Sequence, residues 1–434
     1  MNPLYRNDRP GEFPKSWYAA TTDIPAPRPE LRGEVRADVC VVGAGYAGLT
    51  AALRLAERGM RVVVLEAHRA GFGASGRNGG QVGSGYNWSQ KDLAAKMGDG
   101  PARAAWDLAE EAKADLRSLL ETHAPEARYR PGVLDGVYSD KAVRKAHEDA
   151  EYLAKTYGYD GREPLDRAGV RARVGTEAYA GGTLDHGAGH IHPLRYAVGL
   201  ARAAEAAGAV IHELSEVHAI ARGAPVKVQT GRGHVLADHV ILAGNGYMPG
   251  LMRPVASRVM PINSFICATA PLGDLADSVL KEDIAVADSK FVVNYYRMTE
   301  DRRFLFGGRE SYTIGFPTDI ATALVARMES LFPQLKGVEI THVWGGTLGI
   351  TMTRLPALQR VAPNILSGAG FSGHGVALSG IAGKVMAEAV TGQAERFDVL
   401  AGLPVPNFPG GPAFRGPLLT LAMTWYSMRD RLGL

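Results

Sequence analysis

Residues 38–66 read DVCVVGAGYAGLTAALRLAERGMRVVVLE, and this stretch decides the fold. An apolar run at 39–42 predicts a strand covered on both faces, and a second apolar run at 62–65 predicts its parallel neighbour. Between them, the apolar residues of 46–58 recur at helical spacing, and Gly59 ends the helix. The pattern therefore predicts a complete βαβ unit.

The turn between the first strand and the helix carries three glycines in the order Gly-x-Gly-x-x-Gly. Gly43 permits a tight turn, Gly45 lets the backbone approach a pyrophosphate, and Gly48 lets helix and strand pack closely. The helix begins with Tyr46 and Ala47, where unpaired N–H groups and the helix dipole favour the negative charge of phosphates. We therefore predict a dinucleotide bound at this turn; the alternative is a βαβ unit that binds nothing.

Glu66 closes the second strand, 23 positions after Gly43. This is close to the spacing at which a carboxylate meets the adenosine ribose, and the negative charge would repel a 2′-phosphate. The cofactor is therefore predicted to be FAD or NAD rather than NADP, with the neighbouring Ala67 also in the cofactor site.

The composition excludes several classes of function. The 434 residues carry 48 Lys and Arg against 45 Asp and Glu, a net charge of +3 that gives no nucleic-acid footprint. The two cysteines, Cys40 and Cys267, make no disulfide framework and suit a reducing compartment. No apolar signal region opens the chain, and no segment reaches the about 20 apolar residues that span a bilayer. We predict a soluble cytoplasmic protein without an integral membrane segment.

Residues 71–81, GFGASGRNGGQ, contain five glycines in eleven positions. Because so glycine-rich a loop loses much backbone entropy on ordering, we expect a ligand to hold it rather than its own contacts. The loop is predicted to close over the pyrophosphate and the dimethylbenzene side of a flavin; the alternative is a mobile surface loop. The loop residues assigned to the cofactor site are Gly73, Ala74, Ser75, Arg77, Asn78, Gly79, Gly80 and Gln81.

Residues 181–192, GGTLDHGAGHIH, concentrate glycine and histidine. His186, His190 and His192 invite a metal interpretation, but no cysteine joins them and the spacing matches no zinc pattern. We predict a glycine loop ahead of a helix that begins at Pro193, and no metal site.

A second glycine-rich turn, SGAGFSGHG at 367–375, follows an apolar strand and precedes a helix. It contains another Gly-x-Gly-x-x-Gly pattern, which suggests an NAD site, but residues 396–400 are too short a remnant to complete another βαβ unit. A helix N-terminus here would instead stabilise the negative charge of a reduced flavin ring. The glycine turns at 43–48 and 367–375 together predict a single bound FAD. The turn residues assigned to it are Gly370, Gly373, His374, Gly375 and Val376.

These motifs resemble the D-amino-acid-oxidase-like (DAO) family of FAD-dependent amine and amino-acid oxidoreductases. The likeness is carried by the turn at 43–48, Glu66, the loop at 73–81, the strand end Ala243-Gly244 and GFSGHG at 370–375. Within the family, the chain is most similar to the γ-glutamylputrescine oxidoreductase branch, on SWYAAT at 16–21, the same loop, GHIHP at 189–193 and FPGG at 408–411.

The resemblance implies a mixed α/β fold of the glutathione-reductase-like and DAO type. A Rossmann-type FAD-binding domain is interleaved with an antiparallel-sheet substrate domain, to which β-like runs at 254–269, 291–297 and 303–308 are assigned. The predicted segments are an N-terminal arm (1–34), the FAD-binding domain (35–95, 160–250 and 340–395), the substrate domain (96–159 and 251–339) and a C-terminal segment with a terminal helix (396–434).

The resemblance also implies roles for single residues. Val217 is expected to meet the adenine, and His374 is expected to lie beside the isoalloxazine. Ala243, Gly244 and Gly346 are assigned to the cofactor site.

Two departures from family members bear on the chemistry. Sarcosine-oxidase-like members carry a cysteine for covalent flavin attachment in the region equivalent to 344–351, but this chain has none there, so FAD is predicted to be noncovalent. Those members also place a lysine shortly after the second glycine turn, where this chain has Val376-Ala377-Leu378. Without that charge an α-carboxylate loses a strong contact, which favours an amine or polyamine derivative as substrate.

The predicted reaction is hydride transfer to flavin N5 from the carbon next to a neutral amine. The resulting imine gives an aldehyde and ammonia, and dioxygen or another electron acceptor reoxidises the flavin, with hydrogen peroxide as the product from dioxygen. His374 is assigned to ring electrostatics. The residues assigned to the substrate are Tyr295, Tyr296, Arg309 and Trp344.

Three alternatives stay open. The same fold would serve a sarcosine, glycine or D-amino-acid oxidase. A quinone-linked D-amino-acid dehydrogenase would use the stretch 417–432, whose leucines, Trp425 and Arg429 could lie on a membrane surface. A flavin-binding protein without turnover is the third.

Overall fold

The computed structural model describes residues 3–248, 250–311 and 315–410. Within these ranges, the strands are β1 (Gly33–Val42), β2 (Val62–Leu65), β3 (Gln81–Val82), β4 (Arg130–Val137), β5 (Arg162–Asp166), β6 (Gly181–His190), β7 (Val210–His212), β8 (Val217–Ala221), β9 (Val226–Thr230), β10 (Gly233–Leu242), β11 (Met260–Thr269), β12 (Ala285–Asp288), β13 (Tyr295–Met298), β14 (Phe304–Ser311), β15 (Ile340–Ile350), β16 (Ala357–Ala362) and β17 (Ile365–Ala369). The helices are α1 (Trp17–Ala20), α2 (Tyr46–Ala56), α3 (Gln90–Met97), α4 (Asp99–His123), α5 (Asp140–Tyr152), α6 (Arg167–Arg171), α7 (Pro193–Ala206), α8 (Arg253–Ala256), α9 (Ala321–Leu331), α10 (Gly375–Val390) and α11 (Glu395–Ala401).

The opening stretch forms the βαβ unit that its sequence predicts. β1 pairs in parallel with β2 on one side and with β10 on the other. The described strands of this first sheet run β16-β17-β10-β1-β2-β7, with β9 and β8 extending from β10. Because β17, β10, β1 and β2 are parallel, their carboxyl ends meet at one edge, where open α/β sheets bind ligands.

The second sheet runs β15-β11-β14-β13-β12-β4-β6-β3 through the described residues, with β5 on β6. Its neighbouring strands are antiparallel except for the β12 and β4 pair. The fold is thus the predicted mixed α/β architecture with a second, largely antiparallel sheet. However, β3, β5, β6 and β15, which the predicted segments place in the FAD-binding part, pair within this second sheet.

The glycine-rich stretch 181–192 forms a strand, so the prediction of a glycine loop is wrong. β6 lies between β4 and β5, and its glycines serve close backbone approach. A Cβ at Gly182 would lie 2.2 Å from the carbonyl oxygen of Asp135, and one at Gly189 would lie 2.4 Å from that of Arg130. Strand pairing, rather than loop flexibility, therefore explains this glycine content.

Helices α2, α4, α7 and α10 cover one face of the first sheet and form the largest apolar cluster of the described residues. α2 and α10 approach closely, because a Cβ at Gly383 would lie only 2.2 Å from the carbonyl oxygen of Ala47. The N-terminal arm packs on the body through the buried Trp17 and Tyr18. Among the described residues, no helix is both long and apolar enough to cross a membrane.

Candidate active site

The first corner of the site is the turn between β1 and α2. Gly43 has a φ of +105°, and a Cβ there would lie 2.9 Å from the backbone that follows β10. A Cβ at Gly48 would lie 1.9 Å from the Gly43 carbonyl oxygen, so this glycine permits the close packing of helix on strand. The N-cap residue Gly45 has no side chain, and Ser75 Oγ accepts the Tyr46 N–H at 3.0 Å. The corner therefore presents a helix N-terminus under a serine hydroxyl.

Glu66 lies in the same corner with its carboxylate fixed by two backbone groups. The Ala44 N–H donates to Oε2 at 2.8 Å, and the His68 N–H donates to Oε1 at 2.9 Å. Burial raises the pKa of this carboxyl, and the two hydrogen bonds oppose the rise. Each oxygen retains acceptor capacity, so the carboxylate can accept the ribose hydroxyls that the sequence predicts.

The loop at 71–81 makes hydrogen bonds to its own backbone, and the expectation that a ligand also holds it stays a prediction. The Asn78 amide donates to the carbonyl oxygens of Ala74 at 2.9 Å and Ser75 at 3.0 Å. Its oxygen accepts the Gly80 N–H at 2.7 Å. One asparagine thus supplies part of the order that we expected from a ligand.

Arg77 ties this loop to the rest of the site. Its Nε donates to the Phe72 carbonyl at 2.9 Å, and its Nη1 donates to the Gly345 carbonyl at 3.1 Å and pairs with Asp8 at 3.2 Å. Its Nη2 is buried and has no hydrogen-bond partner among the described residues. That nitrogen is therefore available to a group bound in the cavity.

The second corner is the turn before α10. Gly370, Ser372 and Gly373 have φ values of +75°, +53° and +85°. Asn245 Oδ1 accepts the Gly370 N–H at 2.9 Å and ties the turn to the end of β10. α10 begins at Gly375 without a side-chain cap, so its first N–H groups have no intrahelical partner. The cavity thus meets a second helix N-terminus, this one without a side-chain cap.

His374 precedes α10 and is neutral at neutral pH. Burial lowers its pKa to about 4, and the positive charge of Arg162 adds to the effect. Its Nε2 is buried without a partner among the described residues. A Cβ at Gly83 would lie 2.4 Å from the ring Cε1, so the imidazole fits only beside a glycine.

One cavity of about 1300 Å³ connects the two corners. It exceeds the roughly 300–1,000 Å³ of pockets for drug-sized ligands, as a site for a dinucleotide and a substrate should. The predicted cofactor residues that line it are Gly43, Gly45, Tyr46, Ala47, Glu66, Ala67, Gly73, Ala74, Ser75, Arg77, Asn78, Gly79, Gln81, Val217, Ala243, Gly244, Gly346, Gly373, His374, Gly375 and Val376.

Three predicted cofactor residues lie behind the cavity lining, where only a glycine leaves room for neighbouring atoms. These are Gly48, Gly80 and Gly370. A Cβ at Gly80 would lie 2.2 Å from the carbonyl oxygen of Ile191, and one at Gly370 would lie 2.5 Å from Thr351 Cγ2. They shape the walls rather than contact a ligand.

The predicted substrate residues are not brought together. Tyr295 lines the cavity, but Tyr296 points into the core of the second sheet, is 1% exposed and donates to Tyr179 at 3.0 Å. Trp344 is 2% exposed, and its Nε1 donates to the backbone of the 71–81 loop at 3.0 Å. The assignment of Tyr296 and Trp344 to the substrate is therefore corrected, and the side chain of Arg309 lies outside the described part.

Several lining residues were missed by sequence reasoning. Asn245 and Tyr247 follow the Ala243-Gly244 strand end, where Asn245 has a φ of +47°. An asparagine between glycines after a strand is a usable signal for such a turn. Asp135 and Asp288 also line the cavity, and they lie on neighbouring strands only because β4 and β12 pair in parallel, which no local pattern predicts.

The residues present fit FAD on three observations. A Cβ at Gly43 or Gly45 would fill the first corner, the N-terminus of α10 is uncapped, and a buried Arg77 nitrogen has no partner among the described residues. Glu66 would hold the ribose and the start of α2 the pyrophosphate, while the N-terminus of α10 would face the ring.

Comparison with known proteins identifies similar chains. The family model for FAD dependent oxidoreductase, DAO, matches residues 38–389. A probable oxidoreductase OrdL from Rhizobium meliloti (strain 1021) is 41% identical over 417 residues, 96% of this chain and 97% of that one. Gamma-glutamylputrescine oxidoreductase from Escherichia coli (strain K12) is 40% identical over 424 residues, 97% of this chain and 99% of that one.

Solved structures share the fold. Glycine oxidase from Geobacillus kaustophilus superposes with a TM-score of 0.70 at 22% identity, covering 82% of this chain and 95% of that one. L-proline dehydrogenase from P. horikoshii superposes with a TM-score of 0.67 at 21% identity, covering 87% and 96%. At these identities the likeness concerns the fold alone.

Proposed function

The chain belongs to the DAO family of FAD-dependent oxidoreductases, and from that premise we propose that it oxidises the carbon–nitrogen bond of an amine carried by a γ-glutamylputrescine-like or other polyamine derivative. Amine, dioxygen and water would give an aldehyde, ammonia and hydrogen peroxide. FAD, when bound, would supply the oxidising chemistry as the acceptor of a hydride from the carbon next to the nitrogen. The similarity to the Escherichia coli relative over nearly the whole length of both chains supports this substrate class.

The observation that carries the proposal is the charge of the second-sheet wall. Asp135, Asp288 and Glu310 line the cavity from this sheet, and no lysine or arginine does so among its described side chains. Carboxylates attract an ammonium group and repel the carboxylate that an α-amino acid would place on the reacting carbon. The arginines that line the cavity, Arg77 and Arg354, lie outside this wall, in the 71–81 loop and after β15. The wall itself therefore favours an amine over glycine, sarcosine or a D-amino acid.

The chain's own residues would perform three tasks. Asp288, whose pKa burial raises, would place a negative charge near a bound ammonium ion, while the Tyr138 hydroxyl and the Asn294 N–H groups hold its carboxylate in position. The neutral His374 and the N-terminus of α10 would act on the ring electrostatically without adding a fixed positive charge. Tyr295 and Ser264, whose hydroxyls lie 3.1 Å apart, would confine the substrate against the second sheet.

We propose that FAD is bound noncovalently. Cys40 and Cys267 are the two cysteines of the sequence, and both are free and buried. Neither lines the cavity. A cysteinyl link to the flavin would therefore require Cys40 in β1 or Cys267 in β11 to leave its buried position. The quinone-linked alternative depended on the stretch 417–432, which lies outside the described residues.

An anaerobic substrate screen tests the proposal. The FAD-loaded protein is mixed with γ-glutamylputrescine, putrescine, sarcosine, glycine and D-alanine, and loss of the oxidised flavin absorbance is followed. We expect the amines without a carboxylate on the reacting carbon to reduce the flavin fastest. A faster reaction with sarcosine or D-alanine would overturn the substrate class. Admitting air or a quinone afterwards, with a peroxide assay, identifies the electron acceptor.

A further inference from the structure

A second cavity, of about 810 Å³, adjoins the first. It begins beside the N-terminus of α10, and the residues that line both cavities are Asn87, Trp88, Asp135, Asp288 and His374. The shared wall is ordered, because Asn87 donates to the Arg354 carbonyl at 2.9 Å and the Trp88 indole to the Thr353 carbonyl at 2.7 Å. A long substrate that reacts in the first cavity can therefore extend into the second.

The walls of the second cavity combine both signs of charge with aromatic rings. Arg162, Asp135 and Asp149 line it, together with Trp106 and Tyr152. Exposed lysine and aspartate side chains complete its rim. A ligand here would meet a positive group, negative groups and apolar surface together. This mixture suits a zwitterion better than a simple diamine, which would offer nothing to Arg162.

Arg162 is held in place by a buried carboxylate. Asp185 is 2% exposed and accepts from the Tyr159 hydroxyl at 2.5 Å and from the Gly187 and Ala188 N–H groups at 3.0 and 3.1 Å. Arg162 Nε donates to the same carboxylate at 3.4 Å. The described residues supply no other hydrogen-bond partner to the guanidinium. Its terminal nitrogens are thus oriented and available for a bidentate contact with a carboxylate.

Asp135 lies on the same sheet face as Asp185 and Arg162. Val133 is paired with Asp185, and Asp135 follows two residues later on β4, so their side chains share one side of the sheet. Within the described chain, its carboxylate makes no hydrogen bond or ion pair. Burial raises the pKa of Asp135, and the positive charge of Arg162 opposes the rise. A bound ammonium group would supply the partner that this carboxylate lacks.

We propose that the second cavity binds the zwitterionic α-amino-acid head of a γ-glutamylated amine, with Arg162 on the head carboxylate and Asp135 on its ammonium group. The inference rests on the proposed function, because it places the reacting amine in the first cavity. The methylene chain of the substrate passes Trp88 at the shared wall. Selection for a γ-glutamyl head therefore resides in Arg162, which lines only the second cavity, and in Asp135 at the shared wall.

Binding of an unreactive probe tests the inference separately from turnover. γ-Glutamylbutylamide carries the head and the methylene chain but no reacting amine, whereas N-butylacetamide lacks the head. By calorimetry with the FAD-loaded protein, we expect the first to bind at least about 10-fold more tightly, as expected for hydrogen bonds to charged groups. Equal affinity would overturn the inference even if amines are oxidised, whereas head-selective binding without reduction by any amine would overturn the proposed function alone.

Variants locate the selectivity. For Arg162→Lys and Asp135→Asn, we expect the ratio of kcat/KM for γ-glutamylputrescine over N-acetylputrescine to fall by about 10- to 100-fold, together with the affinity for γ-glutamylbutylamide. Arg144→Gln, an exposed arginine on α5 outside both cavity linings, should keep the ratio of the unaltered protein. FAD content and the unfolding midpoint verify that each variant is folded. A ratio unchanged in both folded variants would overturn the inference, and the probe comparison in the unaltered protein decides the matter if neither folds.

Discussion

Replacing Gly383 by alanine tests whether the contact between α2 and α10 shapes the cofactor site. The new Cβ would lie 2.2 Å from the Ala47 carbonyl oxygen and 3.0 Å from the Ala51 nitrogen. A carbon–oxygen contact needs about 3.3 Å, so the two helices must separate locally by about 1 Å. Overpacking of this kind costs about 1–3 kcal/mol, against a gain of about 1 kcal/mol from replacing a helical glycine by alanine.

The displacement should appear chiefly in FAD affinity. Ala47 lines the cavity at the start of α2, and α10 supplies the opposite corner, so their separation changes the distance that the cofactor must span. We expect the dissociation constant of FAD to rise by at least about 10-fold, which corresponds to about 1.4 kcal/mol. Titration of FAD into the cofactor-free protein, followed by flavin fluorescence, measures it, and urea unfolding measures stability.

Gly380→Ala is the matched control on the same helix. A Cβ at Gly380 meets only Thr50 Oγ1, at 3.8 Å, which is an ordinary contact. This variant should keep its FAD affinity and gain up to about 1 kcal/mol of stability. Equal FAD affinity and equal stability in the two variants would show that the contact between α2 and α10 does not constrain the site.

Other perturbations probe single residues. Glu66→Gln should weaken FAD binding by about 10- to 100-fold, because the ribose loses a charged acceptor and the Ala44 or His68 N–H would face the glutamine NH2 group instead of a carboxylate oxygen. Unaltered affinity in the same titration would contradict this role. The folded-state pKa of His374, about 4, lies below its unfolded value near 6.5, so the unfolded chain binds the proton first. The cofactor-free protein should therefore lose up to roughly 3 kcal/mol of stability as pH falls from 6.5 to 4, and urea unfolding of His374→Asn should lack this part of the slope. Tyr296→Phe should cost about 1 kcal/mol through the lost bond to Tyr179 and leave kcat/KM within about twofold; a large loss of activity would return Tyr296 to the substrate site.

The first βαβ unit could be predicted from the sequence because its determinants are local. The apolar runs, the helical period and the three glycines all fall within residues 38–66, and each feature constrains only its neighbours. The turn before α10 was recognisable for the same reason. Its three left-handed residues need a glycine-rich sequence, whatever the rest of the chain does.

The second-sheet wall of the cavity could not be predicted. It depends on which strands pair and on which alternate residues of each strand face the cavity. Tyr295 and Tyr296 are neighbours on β13, and the period of two sends one to the cavity and the other to the core. The sequence supplies the alternation but not which member faces the site. Likewise, Asp135 and Asp288 lie far apart in the chain and reach the same cavity only through the pairing of β4 with β12.

The glycine loop at 71–81 illustrates a different limit. Its five glycines raise the entropic cost of ordering the loop. The sequence does not show that Asn78 offsets part of this cost. Asn78 makes three hydrogen bonds to the loop backbone, and these offset part of the ordering cost without a ligand.

A crystal structure of the FAD complex would show whether one extended cofactor spans the N-termini of α2 and α10. We expect the pyrophosphate within hydrogen-bond distance of the backbone at Gly45 to Ala47, the ribose on Glu66, and the flavin ring against the first N–H groups of α10. A flavin ring bound away from Gly375 and Val376, or a cofactor whose phosphates lie away from the start of α2, would contradict this expectation.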